Sequence, residues 1–137
     1  MRTAIRTALT GAPGVPARVG GVRGYAYPAE ALPAVEVSTP DETSQPELAT
    51  LAGPPLLQRQ VEVLVVVYAV GGDDIEDELD DVAAAVESAV AGSATVAALV
   101  EAIWPAGGQF DPGEARDQMA ARREVRFVAS MTAPWLA

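Results

Sequence analysis

The chain has 137 residues, half of them apolar, and a formal net charge of −10 at pH 7. It contains neither cysteine nor histidine, which excludes disulfides, thiolate or histidine metal sites, and every catalytic mechanism built on a Ser-His-Asp or Cys-His set. A chain of this length forms one core, and an enzyme of this composition would depend on carboxylate, arginine, tyrosine or hydroxyl chemistry.

The first ten residues predict a short helix. Ile5 and Leu9 lie four residues apart, and Gly11 follows at the position where a glycine commonly ends a helix. No apolar segment follows the first arginines, so we expect no secretion signal and a cytoplasmic product. The Gly- and Pro-rich residues 12–24 predict a loop, with a weak edge pairing near residues 19–22.

Two strands follow in the first half of the chain. Val35 and Val37 alternate with polar residues, and Pro33 is confined to the start of this strand because it cannot donate to a ladder. Residues 58–70 are the most apolar and β-branched run, with Val61 to Val67 repeating at period two, and they predict the central strand. This run is too short to cross a bilayer as a helix.

Prolines interrupt residues 38–57, which connect these two strands. Pro40, Pro46, Pro54 and Pro55 are expected to forbid continuous regular structure and to leave a long loop or arm, of the kind that is usually functional or mobile. Within it, residues 47–51 form either one helical turn or the tip of a hairpin arm.

Two tandem helices are predicted after the central strand. The first has an apolar stripe from Ile75 to Val90, and Asp73 or Asp74 is expected to cap it. Ser93 is the expected cap of the second, whose buried stripe comprises Val96, Leu99, Val100 and Ile103. The alternation within residues 123–132 then predicts a final strand that pairs antiparallel with the central one.

These elements predict an α+β fold. We expect a single small domain over residues 1–137, with a mainly antiparallel or mixed sheet of about four strands packed against the N-terminal helix and the two tandem helices.

Seven of the nine residues from 73 to 81 are acidic, which raises the question of a divalent-metal site. The spacing does not match a calcium loop, so helix capping and a solvated face explain the cluster better. The glycine-rich stretches match neither a phosphate loop nor a dinucleotide fingerprint. No catalytic residue, metal or cofactor is therefore expected.

Charge is divided along the chain. Residues 1–35 carry four arginines and one acid, whereas residues 60–115 carry twelve acids and no base. If these regions lie on opposite flanks, subunits could dock head to tail, as a closed ring requires. The expected subunit interface pairs acidic residues of the helix start with arginines near the N-terminus: Asp73, Asp74, Asp77, Asp80 and Asp81 with Arg2, Arg6 and Arg18.

Four segments together resemble the tail terminator proteins of long-tailed phages, the family of the lambda minor tail protein U. They are EALPAVEV at residues 30–37, RQVEVLVVV at 59–67, DDIEDELD at 73–80 and VRFVASM at 125–131. The order of the elements is similar as well. The Gly- and Pro-rich residues 11–24 and the long loop depart from the family pattern.

The resemblance implies a virion protein of the tail neck, assembled in the host cytoplasm as a homo-hexameric ring on the head-proximal end of the tail tube. Its partners would be further copies of itself, the tail tube protein and a head-side connector or stopper, and DNA would pass through the channel without specific binding. The resemblance carries over no catalytic residue, and it does not distinguish an infectious phage from a gene transfer particle.

Contact with the tube or connector is assigned by hypothesis to the long loop, at Thr39, Asp41, Glu42, Glu47 and Leu51. Two other readings stay open: an acidic monomeric protein-binding adaptor that uses the same loop as its contact arm, and a carboxylate-dependent hydrolase. The oligomeric state separates the ring from the adaptor.

Overall fold

The computed structural model describes residues 1–22, 32–46, 56–71, 73–111 and 121–134. Three helices and five strands follow each other along the chain: α1 (Arg2–Leu9), β1 (Arg18–Gly20), β2 (Ala34–Pro46), β3 (Leu56–Ala69), α2 (Ile75–Ala91), α3 (Ala94–Leu99), β4 (Ala102–Asp111) and β5 (Ala121–Pro134). The fold is α+β, as predicted, and forms a single small domain. None of the described helices is long and apolar enough to span a membrane.

One mixed sheet carries the fold, in the strand order β1-β2-β3-β5-β4. The short β1 runs parallel to β2, and the other neighbouring strands pair antiparallel. The predicted partnership between the final and central strands is confirmed, because β5 pairs with β3 along its whole length, with Val63 opposite Phe127.

The core lies between this sheet and the helices. Val63, Val65 and Val67 of β3 are fully buried, together with Val35 of β2 and Phe127 of β5. The helices contribute residues at helical spacing to the same cluster: Ile5 and Leu9 from α1, Leu79, Ala83, Val86 and Val90 from α2, and Val96 from α3. All three helices therefore pack on the face of the sheet that carries the valine repeat.

Helix termini agree with the sequence pattern at two of three places. Gly11 follows α1 with a φ of 75°, a conformation that glycine adopts without strain. The Ser93 hydroxyl accepts a hydrogen bond from the backbone N–H of Val96 at 3.2 Å, as expected of a cap. Asp74, one of the two residues predicted to cap α2, occupies the N-cap position, but its side chain makes no capping hydrogen bond. The acids of the first turn still complement the helix dipole.

Residues 38–57 are more regular than predicted. β2 continues to Pro46 and β3 begins at Leu56, so both ends of the expected loop are paired strands. A bulge between Ser38 and Asp41 accommodates Pro40. Beyond Glu36, β2 has no pairing with β1 and forms the edge of the sheet, where a proline without an N–H is tolerated. Residues 47–55 lie outside the described residues. They include residues 47–51, for which a helical turn or a hairpin tip is predicted.

The second tandem helix is shorter than predicted, and a fifth strand takes its place. α3 ends at Leu99, and Val100 is already extended, with φ −126° and ψ 152°. Ile103 belongs to β4, where it pairs with Ala129 of β5. This pairing satisfies the backbone of β5 along an edge that four strands would leave open. Of the predicted helical stripe, only Val96 is fully buried in the core.

We expect Phe127→Ala to lower the free energy of unfolding by about 3–5 kcal/mol, because its ring fills the space between the sheet and α2 and the site cannot fully collapse. Urea unfolding followed by circular dichroism measures the change. Val70→Ala is the matched control: this side chain is 59% exposed, and its loss should change stability by less than about 0.5 kcal/mol. Equal effects at the two positions would contradict the assigned core.

Candidate subunit-interface and arm surfaces

The helix layer divides the charged residues between the two halves of the sheet. α1 packs over β1 and β2, whereas α2 packs over β3, β5 and β4. Arg2 and Arg6 lie on α1 and Arg18 on β1, while the acidic turns belong to α2. The predicted basic and acidic interface residues therefore belong to different halves of the fold. The half that α2 covers also carries Arg122, Arg123 and Arg126 of β5, which pair with acidic side chains there.

Most of the acidic residues face solvent. Asp73, Asp74, Asp77 and Asp81 are exposed at the start of α2. Asp80 differs, because its Oδ1 lies 3.2 Å from Nε of Arg123 in β5. This Arg123 Nε is buried and lacks hydrogen-bond geometry towards any described acceptor, so the contact is an ion pair without a well-aligned hydrogen bond. Asp80 thus links α2 to the sheet, and the other four acids face solvent.

The basic residues gather near β1. Arg2 and Arg18 are exposed, and Arg6 is half-buried. The Arg6 guanidinium lies against Gly21, just past β1, where a Cβ would come within 2.6 Å of Nη2. Its buried Nε has no hydrogen-bond partner among the residues that the structure describes. Glycine at position 21 therefore leaves room for a positive charge at this edge of the sheet.

The paired ends of β2 and β3 project from the core, and we call residues 38–46 and 56–62 the arm. Among the arm residues whose side chains the structure describes, only Val61 is buried, and it lies outside the core cluster. The six residues from Leu56 to Val61 alone reach about 20 Å at the rise of an extended strand. Residues 128–134 of β5 pair alongside and stiffen it.

Polar side chains dominate the described part of the arm. Asp41 and Glu42 are exposed and Thr39 is half-buried. Glu42 lies 3.7 Å from the Arg59 guanidinium across the arm, a weak ion pair at this exposure. A shallow depression of about 170 Å³ is lined by Asp41, Glu42, Thr43, Gln60, Glu62 and Val128. Of the five residues predicted to contact the tube or connector, Glu47 and Leu51 lie outside the described residues.

A charged network that the sequence pattern does not predict lies on the sheet face opposite the helices. Arg126 of β5 donates to Glu62 of β3 at 2.6 Å and to Glu124 at 3.2 Å. Arg122 forms an ion pair with Asp111 of β4 at 3.3 Å. The alternation in β5 predicts that Glu124 and Arg126 share one face. The contact with Glu62 depends on the strand register: Leu64 lies opposite Arg126, and Glu62, two residues before Leu64, is its diagonal neighbour on the same face.

Tyr68 joins Glu36 on the same face. Its hydroxyl donates to Glu36 Oε2 at 3.3 Å. Partial burial, the negative charge of Glu36 and this hydrogen bond raise the pKa of Tyr68 above its ordinary value of 10.0, and nearby Arg122 opposes the shift. Because the neutral phenol is favoured in the fold, its contribution to stability is complete below about pH 10 and declines at higher pH.

We therefore expect Tyr68→Phe to reduce the alkaline loss of stability. The unfolded chain releases the phenol proton at lower pH than the folded chain, so the wild type loses stability as the pH rises above about 10. Urea midpoints of both proteins at about pH 8 and about pH 10.5 measure this difference. Tyr25 and Tyr27 are present in both proteins, so they do not contribute to the difference in pH dependence between them. Equal pH dependence in the two proteins would contradict the assignment.

Within the described ranges, no group of three or more acidic side chains is arranged to hold a metal ion. Glu62 and Glu124 both form ion pairs with Arg126. No protein-family model matches the chain, and no curated protein matches its sequence.

Proposed function

We propose that the protein is a structural, non-enzymatic subunit of a phage tail terminator. In this role a homo-hexameric ring caps the head-proximal end of the tail tube, stops tube polymerisation and joins the tail to the head-side connector or stopper. The observation that carries the proposal is the position of Arg2, Arg6 and Arg18 on α1 and β1, whereas the exposed acids at the start of α2 belong to the other half of the fold. The sequence resemblance supports the proposal, and it alone suggests the phage tail.

A closed ring repeats one heterologous contact between two different surfaces of the subunit. The acidic surface consists of the exposed start of α2, at Asp73, Asp74, Asp77 and Asp81. The basic surface consists of Arg2, Arg6 and Arg18 on α1 and β1. The acidic surface of one subunit attracts the basic surface of the next, whereas two surfaces of like charge repel each other. The position of the charges therefore favours head-to-tail docking.

The arm is the proposed contact with the tube or the connector. It projects beyond the core and presents Thr39, Asp41 and Glu42, and its strands are braced by β5. A contact element that lies outside the core can be altered without loss of the fold. Experiments can therefore test binding to the tube separately from formation of the ring.

DNA would pass through the channel of the ring without specific binding. The net charge of −10 opposes adhesion of the phosphate backbone, which basic surfaces bind strongly. The proposed location is the neck of the virion, after assembly in the host cytoplasm. The same role applies in an infectious phage and in a gene transfer particle.

We expect the Asp77→Arg/Asp81→Arg double variant to weaken ring formation by about tenfold or more, because it sets arginine against the basic surface of the neighbour. Light scattering and electron microscopy of the purified protein measure the ring population, which should also fall as salt rises. Asp41→Arg on the arm is the matched control and should preserve the ring.

Two outcomes would count against this proposal. A strictly monomeric wild type at high concentration would favour the adaptor reading. A ring that survives the double reversal unchanged would remove the acidic surface from the interface.

The arm is tested separately. We expect Asp41→Arg to form rings that no longer halt elongation of the tube protein from the same particle, because the altered charge lies on the proposed contact. Electron microscopy of tubes assembled with wild-type or variant rings measures tube length and capped ends. Normal capping by Asp41→Arg, with Thr39→Arg also normal, would exclude the described base of the arm as the contact.

A further inference from the structure

Both edges of the sheet leave apolar side chains in water. Four large hydrophobic residues are exposed within the part of the chain that the structure describes: Val22 (70%), Val70 (59%), Leu99 (49%) and Trp104 (41%). Trp104 lies on β4, the edge strand on one side, and Val22 lies just past β1, the edge strand on the other. Large aromatic side chains at such positions commonly anchor protein contacts.

The β4 edge also has apolar surface on its other face. A cavity of about 270 Å³ lies between β4 and the second half of α2, lined mainly by Val90, Ala91, Ile103, Pro105 and Phe127. Trp104 is directed to the opposite side of the sheet, beside Val128, because these two residues are paired across the strands. The edge strand is therefore apolar on both faces.

The two edges differ in charge. Arg18 is exposed on β1, and the Arg6 guanidinium lies against Gly21 beside it. On the other side, Glu101 is exposed next to β4 and Glu87 borders the cavity. No lysine or arginine occurs between residues 60 and 115. Arg122 and Arg123 of β5 lie beside the far end of β4, at Asp111 and Gly108. The β1 edge is thus basic, and the β4 edge is acidic at its Trp104 end.

We infer that the β4 edge of one copy docks on the β1 edge of the next copy, with Trp104 as the anchor and Val22 in the facing surface. The inference rests on the proposed ring and extends its subunit contact, because the β4 edge lies on the half of the fold that α2 covers and the β1 edge on the half that α1 covers. Two β4 edges brought together by a two-fold axis would place Glu87 and Glu101 against their own copies, which like-charge repulsion disfavours. A β4-to-β1 contact pairs opposite charges and continues from subunit to subunit until the ring closes.

Side chains carry this contact, because the backbone offers little to pair. β1 is only three residues long, and β4 changes register between Pro105 and Gly108, where Gly107 has a φ of 104°. A bulge and a proline interrupt the ladder that a further strand would need. Loss of the anchoring side chains should therefore be sufficient to separate the subunits.

The chain has no cysteine, so single thiols can be introduced without interference. Ala17, just before β1, and Ala106, within β4, are both exposed. After treatment with a short bis-maleimide, we expect the Ala17→Cys/Ala106→Cys variant to give a ladder of covalent multimers that ends at a closed species. We expect no covalent dimer from either single variant alone, and a dimer when the two are mixed.

Three other outcomes of the cross-linking experiment would overturn the inference. A covalent dimer of Ala106→Cys alone would show a symmetric contact and overturn the inference. An oligomer in light scattering without cross-linking between the edges would overturn it too, while leaving the proposed ring intact. A protein that is monomeric at every concentration would overturn both.

Side-chain variants give a second measure. We expect Val22→Asp and Trp104→Ser each to raise the dissociation constant for self-association by at least about tenfold, the size of effect expected when a central anchor is lost. Val70→Asp, at an exposed apolar position on neither edge, is the matched control and should leave association unchanged. Circular dichroism verifies folding, and Val22→Asp keeps the test valid if Trp104→Ser unfolds. Unchanged association in Val22→Asp would refute the docking.

Discussion

The fold depends on the burial of one face of β3. Val63, Val65 and Val67 are completely buried under the helices, and β3 exchanges hydrogen bonds with β2 on one side and β5 on the other. A shift of one residue in either pairing would turn these valines to the opposite face, so the hydrophobic term fixes the register of the three central strands. The charged pairs on the other face, such as Glu62 with Arg126, follow from that register and add little to its stability.

This single covered face also explains the separation of charge in space. α1 and α2 must lie side by side on the valine face, so α1 covers the β1 side and α2 the β4 side. The N-terminal arginines and the acids of α2, which are distant along the chain, thereby come to lie in different halves of the fold. The acids of α2 complement its helix dipole, and Asp80 also forms an ion pair with Arg123 of β5. The other acids at the start of the helix face solvent.

Periodicity predicted the elements that it describes directly: α1, α2, the Ser93 cap, the central strand and its antiparallel partner. Periodicity did not predict the elements whose structure depends on pairing with a neighbouring strand. Pro40 predicts interruption, yet it lies on an edge of the sheet, where a missing N–H costs no ladder bond. The spacing from Val96 to Ile103 suits a helix, but pairing with β5 draws Ile103 into a strand. The Arg126 network needed the register between strands, which no single segment contains.

The form of the two edges bears on the kind of assembly that this subunit can make. A long, flat and regular edge strand would recruit further strands without limit, and such edges lead to fibres. Here β1 is three residues long, β2 forms the rest of that edge beyond Glu36 and carries a bulge at Pro40, and the opposite edge is broken by a bulge that contains a proline and a glycine with positive φ. These features suppress continuous strand addition while leaving Trp104, Val22 and the flanking charges accessible. Contacts made by a few side chains at a fixed angle repeat with a defined rotation, and a defined rotation is the condition for a ring that closes.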